Sequence, residues 1–306
     1  MILAVGLTPA WQQILLFDQF QPGEVNRADE VHWCASGKVL NVGMALHRLG
    51  SPSKTLVLVG GRGGEEIRRE FTELGIEACW TDTQTPTRVC TTIIDRATGA
   101  TTELVENSRQ PSGEELTALN AAYATVVTSA DIVVLSGSLP AGVSTSFYRD
   151  LLRRTRCRAI LDIRGPELLQ SLERRPFLVK PNREELERTL GLDLSEECNL
   201  IEAMQQLNRC GAEWVVVTDG SRSVHVSSDQ GLYRAVPPTE PVVNPIGCGD
   251  SLAAGIAVAL SEGQLPLDAI RFGMAAATDN LHQLLPARLD RARVETIAAR
   301  IQFDSV

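Results

Sequence analysis

"TLVLVGG" (Thr55–Gly61) runs into "EEIRREFTELG" (Glu65–Gly75), and the change of period between them decides the fold. The first is an unbroken apolar run of strand length. In the second, Ile67, Phe71 and Leu74 recur at helical spacing until Gly75 ends the element. The same pairing returns along the chain. "DIVVLSGS" (131–138) precedes "STSFYRDLLRR" (144–154), "AILDIRG" (159–165) precedes "PELLQSLERR" (166–175), and "FLVKPN" (177–182) precedes "REELERTLG" (183–191). "WVVVTDG" (214–220) follows with two short strand-like runs, "SVHVSS" and "LYRAV", and the chain ends in three helical stretches from Asp250 onward. Strands buried on both faces read as continuous hydrophobic runs, so this alternation predicts an α/β fold with a mostly parallel sheet covered by helices on both sides.

Two regions break the pattern. Residues 11–35 hold "QQILLFDQF" and "EVNRADEVHW" around a Pro22–Gly23 turn, and residues 86–107 hold "TRVCTTIID" and "TTELVEN" around Ala97–Gly99. Their period-2 polarity suits a small sheet with one solvated face. We read them as strands inserted at two points to form a lid on a single domain spanning residues 1–306.

Composition sets outer bounds. The 306 residues are 43% hydrophobic and 22% charged, enough for a sizeable core, and the net charge of −9 argues against nucleic acid or an anionic membrane as partner. Seven scattered cysteines without a Cys-x-x-Cys, and four histidines without ligand spacing, argue against zinc and for reduced thiols. "MILAVGL" has no basic flank or cleavage site, and no apolar stretch reaches bilayer length, so a cytoplasmic protein is expected.

The chemistry concentrates in "NPIGCGDSLAAG" (Asn244–Gly255). Ligands of open parallel sheets sit beyond the carboxyl ends of the strands, where helices begin with unpaired N–H groups. Gly247, Cys248 and Gly249 leave room for a phosphoryl group against such amides, and Asp250 then stands in the first helical turn beside it. A carboxylate there can take a proton from an attacking hydroxyl while the amides stabilise the transferring group. A helix start with a favourably placed acid explains the motif equally well on its own. "KPNREEL" offers Lys180 as a point charge for phosphates, and Asn182 and Glu185, three apart, as a pair suited to hydrated Mg2+.

"VVNPIGCGDSLAAGIAVAL" resembles the C-terminal signature of the ribokinase-like (phosphofructokinase B) sugar kinases. "PGEVNRADEV", "LSGSLPAGVSTSFYRDLL" and "LVKPNREEL" align in the same order, nearest to the branch of 1-phosphofructokinase and tagatose-6-phosphate kinase. The resemblance implies a ribokinase-like fold, Asp250 as catalytic base, ATP as phosphoryl donor, and a magnesium and phosphate role for Asn182 and Glu185. It places Thr218, Asp219 and Gly220 near the nucleotide, although the family prefers an apolar residue where Asp219 stands, and Asn280 near adenine or ribose. It also implies a homodimer through the lid.

On the acceptor side the family's "GGKGxN" is "SGKVLN" here, keeping Gly37, Lys38 and Asn41 but replacing two glycines by Ser36 and Val39. The branch's Asn-Pro-Ala-x-Asp is "TPAWQ", so Gln12 stands where an aspartate grips sugar hydroxyls. Arg27, Lys38 and Arg88 align with basic positions of the phosphosugar branch, and Ser138 follows a strand at the ligand edge. The expected activity is ATP-dependent phosphorylation of a ketohexose phosphate: fructose 1-phosphate first, then tagatose 6-phosphate or fructose 6-phosphate. The rivals are a kinase for a neutral sugar or nucleoside, and a non-catalytic sugar-phosphate sensor of the same fold.

Overall fold

The computed structural model describes every residue from Met1 to Val306. The first half of the chain forms β1 (Ile2–Gly6), β2 (Ala10–Phe17), β3 (Glu30–Ser36), α1 (Lys38–Arg48), β4 (Ser53–Val59), α2 (Gly61–Glu73), β5 (Ala78–Asp82), β6 (Arg88–Asp95), β7 (Ala100–Val105), α3 (Gly113–Val126) and β8 (Ile132–Ser136). The second half forms α4 (Phe147–Leu152), β9 (Arg158–Asp162), α5 (Gly165–Ser171), β10 (Leu178–Val179), α6 (Arg183–Leu190), α7 (Glu197–Cys210), β11 (Trp214–Asp219), β12 (Ser223–Ser228), β13 (Gly231–Ala235), α8 (Cys248–Ser261), α9 (Pro266–Asn280), α10 (Arg291–Ala298) and β14 (Asp304–Ser305).

The main sheet has ten strands in the order β14-β13-β12-β11-β10-β9-β8-β1-β4-β5. All pairings from β5 to β11 are parallel, and β12, β13 and β14 add an antiparallel edge. Successive residues of a strand face opposite layers. Ile2 and Ala4 join a core with α1, α8 and α9, whereas Leu3 and Val5 join one with α3, α4 and α7. The expected doubly covered sheet is present. The unexpected elements are β5, α3, α7 and β14.

The lid is a separate four-stranded sheet, β3-β2-β6-β7. Its two insertions meet where β2 and β6 run parallel, Ala10 opposite Arg88 and Phe17 opposite Asp95. α8 is buried from Asp250 to Leu260 and lies tightly on α9. A Cβ on Gly255 would stand 2.8 Å from the Gly273 Cα, so the small residues there set the helix–helix distance. No helix is long and apolar enough to cross a membrane. The carboxyl ends of β1, β8, β9, β10 and β11 all open on one edge, facing the N-terminus of α8 and the lid.

Candidate active site

Between that edge and the lid lies a cleft of about 530 Å3. Its floor is the start of α8. Asn244 holds the approach loop by accepting from the Ile246 amide (3.0 Å) and donating to the Leu284 carbonyl (2.8 Å). Gly247 caps the helix at φ +88°, a left-handed conformation, where a Cβ would also stand 2.9 Å from Pro286. The first amides of α8 have no acceptor within the helix, and that of Cys248 turns back to the Pro245 carbonyl at 3.4 Å. A Cβ on Gly249 would lie 3.4 Å from the Lys180 ammonium, so the bare backbone and that cation share one space.

Asp250 is 5% exposed and lines the cleft. Asn41 Nδ2 donates to its Oδ2 at 2.7 Å, and the Ser36 hydroxyl donates to Asn41 Oδ1 at 3.1 Å, which fixes the direction of the amide. Ser36 thus has a use where the family has glycine. Val39, the other departure, is a buried residue of α1 packed against Gly6. Burial and the nearby Asp162 charge push the Asp250 carboxyl up to about 6, with Lys38, Asn41 and Lys180 pulling the other way.

Asp162, at the end of β9, was not singled out from sequence. It is fully buried, with Oδ1 3.0 Å from Lys180 Nζ and 3.2 Å from Lys38 Nζ, and Oδ2 accepting from Ser136 at 3.4 Å. Burial opposes its charge, but Lys180 and Lys38 outweigh that and hold its carboxyl below the usual range. Lys38 also reaches Glu185 Oε1 at 3.5 Å. It therefore bridges two acids instead of presenting a free charge.

Asn182 and Glu185 form a reciprocal cap on α6: the Glu185 amide donates to Asn182 Oδ1 (2.7 Å), and the Asn182 amide to Glu185 Oε2 (3.0 Å). Glu185 Oε1 is left outside the cap, beside Lys38. Magnesium is usually held by one or two carboxylates together with substrate phosphates and water. No cluster of three or more His, Cys, Asp or Glu side chains forms a protein cage. Glu185 Oε1, outside the cap and facing the Lys38 ammonium, is the carboxylate oxygen here that fits a metal entering with a nucleotide.

The other expected residues divide. Gln12, Gly37, Arg88, Ser138, Thr218, Gly220 and Cys248 line the cleft. Gln12 is buried and donates to Thr92 Oγ1 at 2.7 Å, leaving its carbonyl oxygen for a ligand. Gly37 caps α1 at φ +88°, with no space for a Cβ against the Thr8 carbonyl. Arg88 lines the wall, but its guanidinium donates to the carbonyls of Thr8, Pro9 and Glu106.

Three residues do not reach the cleft. Asp219 pairs with Arg183 (2.8 Å) and Arg222 (2.6 Å) on the far side of its strand, where alternation sends it when Thr218 faces inward. Asn280 is fully buried behind the Gly247 loop, donating to the Ile246 carbonyl and Cys248 Sγ and accepting from Ser251 and Ala287, so it braces the loop. Arg27 is exposed in the β2–β3 loop. The site end of that hairpin is the Ala10–Ser36 pair, and Leu16–Glu30 is its far end, so Arg27 stands roughly 20 Å from the cleft in its own chain. The walls also contain Arg164, Cys90, Glu103 and Val105, which sequence reading passed over.

A model of the pfkB family carbohydrate kinases matches residues 1–283. The chain is 31% identical over 282 residues to the 1-phosphofructokinase of Bacillus subtilis (strain 168), covering 91% of each. Among solved structures it resembles a possible 1-phosphofructokinase of Thermotoga maritima (TM-score 0.92, 23% identity, covering 100% of this chain and 99% of that one). It also resembles phosphofructokinase-2 of Escherichia coli in complex with substrates and products (TM-score 0.88, 25% identity, 97% and 98% covered). A more distant likeness is ribokinase of T. maritima (TM-score 0.76, 19% identity, 97% and 99% covered). With a buried acid poised at an anion-accepting helix start, and a family match over nearly the whole chain, this protein belongs to the pfkB family of carbohydrate kinases, phosphotransferases that act on a sugar hydroxyl.

Proposed function

We propose that this enzyme transfers the terminal phosphoryl group of ATP to a ketohexose phosphate, with fructose 1-phosphate preferred over tagatose 6-phosphate and fructose 6-phosphate. The observation that carries the reading is Asp250, a buried carboxylate held by Asn41 in a cleft floored by the N-terminus of α8. With its pKa raised to about 6, it is mostly ionised at neutral pH yet basic enough to take a proton from the acceptor hydroxyl. The 247–249 amides and Lys180 stabilise charge on the transferring group, and Asp162 keeps Lys180 in place. Glu185, with Asn182 beside it, would hold magnesium, which neutralises nucleotide phosphate charge when bound.

The acceptor assignment is supported by the relative named 1-phosphofructokinase and by Arg88 in the lid wall. A homodimer through the lid is supported by its outer face, where Val31, Trp33 and Leu104 are exposed on one side of the sheet and Trp11 stacks on Trp33.

An ADP-release assay with MgATP against ketohexose phosphates and neutral sugars tests the activity, with product NMR to identify the reacting hydroxyl. If no sugar phosphate raises ADP release above the ATPase background, the proposal fails. One observation favours a neutral acceptor: Arg27 lies away from the cleft and Lys38 is held by two acids, which leaves Arg88 alone of the three cations expected to bind a substrate phosphate. Arg88→Ala decides. Loss of a charged contact worth about 2–5 kcal/mol raises the KM of the phosphorylated acceptor at least tenfold, whereas an unchanged KM supports the neutral-sugar reading.

A further inference from the structure

Four cationic side chains line the cleft: Lys38, Arg88, Arg164 and Lys180. Three of them are committed. Lys38 bridges Asp162 and Glu185, Lys180 is bound to Asp162, and Arg88 donates to the carbonyls of Thr8, Pro9 and Glu106. Arg164 differs. Its guanidinium makes no hydrogen bond; its one ion-pair partner is Glu185 Oε1 at 3.9 Å, and the side chain is 49% exposed. It is the single cation of the cleft with its whole donor fork unspent.

Its backbone, by contrast, is fixed. Arg164 follows Asp162 by two residues at the end of β9, in ordinary extended conformation (φ −140°, ψ 175°). The next amide, Gly165 N, donates to Thr189 Oγ1 at 2.9 Å, which ties this turn to α6, the helix that carries Glu185. The root of the side chain therefore cannot drift from the Asn182–Glu185 end of the cleft, while its tip is free to change partners. A planar fork of five N–H donors on a pinned root suits tetrahedral phosphate oxygens better than it suits one distant carboxylate oxygen.

We propose that Arg164 grips the phosphates of the bound nucleotide at the Glu185 end of the cleft and stabilises the charge that develops on them during transfer. This rests on the kinase reading above and adds a residue to it. Lys180 serves the group near Gly249, and Arg164 serves the donor side beside Glu185. A guanidinium that engages phosphate only when nucleotide is bound costs nothing in the free enzyme, because no existing hydrogen bond must break.

The test uses the full chain with Arg164→Ala and Arg164→Lys, measuring steady-state kinetics and, separately, calorimetric binding of MgADP. Arg164→Ala is expected to lower kcat on the order of tenfold to a hundredfold, to weaken MgADP binding on the order of tenfold, and to leave the acceptor KM unchanged, with Arg164→Lys recovering part of both losses. Equal thermal midpoints for parent and variants are expected, because the side chain is half exposed and bonded to nothing. Unchanged kcat and MgADP affinity in Arg164→Ala overturn the proposal. A rise confined to the acceptor KM also overturns it, because that places the guanidinium on the wrong substrate. Should the parent phosphorylate no sugar, the kinase reading falls, and the MgADP titration still decides for or against Arg164.

Discussion

At the Asp250 end of the cleft, the charged side chains come from the ends of main-sheet strands or the first turns of helices packed on that sheet. Asp162 and Lys180 are buried there, and Asp250 is held by Asn41 of α1, which Ser36 orients from the end of lid strand β3. The acceptor end is walled by lid strands. Gln12 and Cys90 are buried in it, Arg88 is half-buried, and Glu103 and Val105 are exposed. The first region is positioned by the close-packed sheet and helices behind it. The second is a wall whose residues come from segments some eighty positions apart, paired by the β2–β6 register. Under the proposed function, catalysis falls to the sheet-anchored half and selectivity to the lid wall, and that division can be broken by experiment.

The largest effect belongs to Asp250→Asn. It removes the base while keeping shape and a hydrogen-bonding partner for Asn41, so kcat is expected to fall by about 10²–10⁴ with both KM values little changed. Full activity in this variant would remove the sheet-anchored half's claim to the chemistry. Asp162→Asn comes next and reports on the charge cluster. Two lysines lose their shared anion, and removing one partner from a buried ion pair costs on the order of 3–5 kcal/mol, read as a lower thermal midpoint. The pH profile gives an independent sign. Asp250 must be ionised to act, so activity falls as pH drops through about 6. Asp162 is one of the two causes that raise this value, and without it only burial opposes the pull of Lys38 and Lys180 on Asp250. The acid limb should therefore move to lower pH in Asp162→Asn, and a limb that stays fixed contradicts the cluster.

The same division governs what could be read from sequence. The motif around Asp250 is contiguous, and its chemistry follows from a helix start with small residues, so it was legible. Asn182–Glu185 was legible as a pair, but the cap and the metal role both fit the spacing, and the structure shows the cap built with one oxygen left over. Asp162 was missed because nothing within "AILDIRG" marks a strand-end aspartate as different from an ordinary turn residue. Its meaning lies in Lys38 and Lys180, 124 and 18 positions away. Asp219 and Asn280 come from motif position alone, and the facing of a strand and the depth of a helix, which motif position does not carry, keep both off the cleft wall. Among the fold elements, α3 begins with a Ser112–Glu115 capping box that could have announced it. β5, "ACWTD", is short and mixed in polarity, and its place at the sheet edge gives it no sequence signature.

Gln12→Ala probes the lid half. The carboxamide is held by Thr92, so its carbonyl oxygen is presented to the acceptor in a fixed direction. Losing it should raise the acceptor KM on the order of tenfold while kcat changes less. A loss confined to kcat would mean that the lid wall takes part in the chemical step, and the division would have to be redrawn.

Cys248 is the smallest case and lies on the sheet-anchored side. Its residue lines the cleft beside Asp250, which invites the idea of a reactive nucleophile, but the thiol accepts from Asn280 behind the loop. Burial pushes the thiol up to about 12, the Asp250 charge adds to this, and the Asn280 amide offsets part of it. At pH 8 the thiolate fraction is then about one in ten thousand, against roughly a quarter for an unperturbed cysteine. Iodoacetamide should accordingly label the exposed Cys198 and Cys210 first and leave Cys248 unmodified, as read by peptide mass spectrometry. Cys248→Ala keeps the backbone amide and should keep kcat. Early alkylation of Cys248, or a large loss in the alanine variant, would show that the turn works through its side chain as well as its peptide nitrogens.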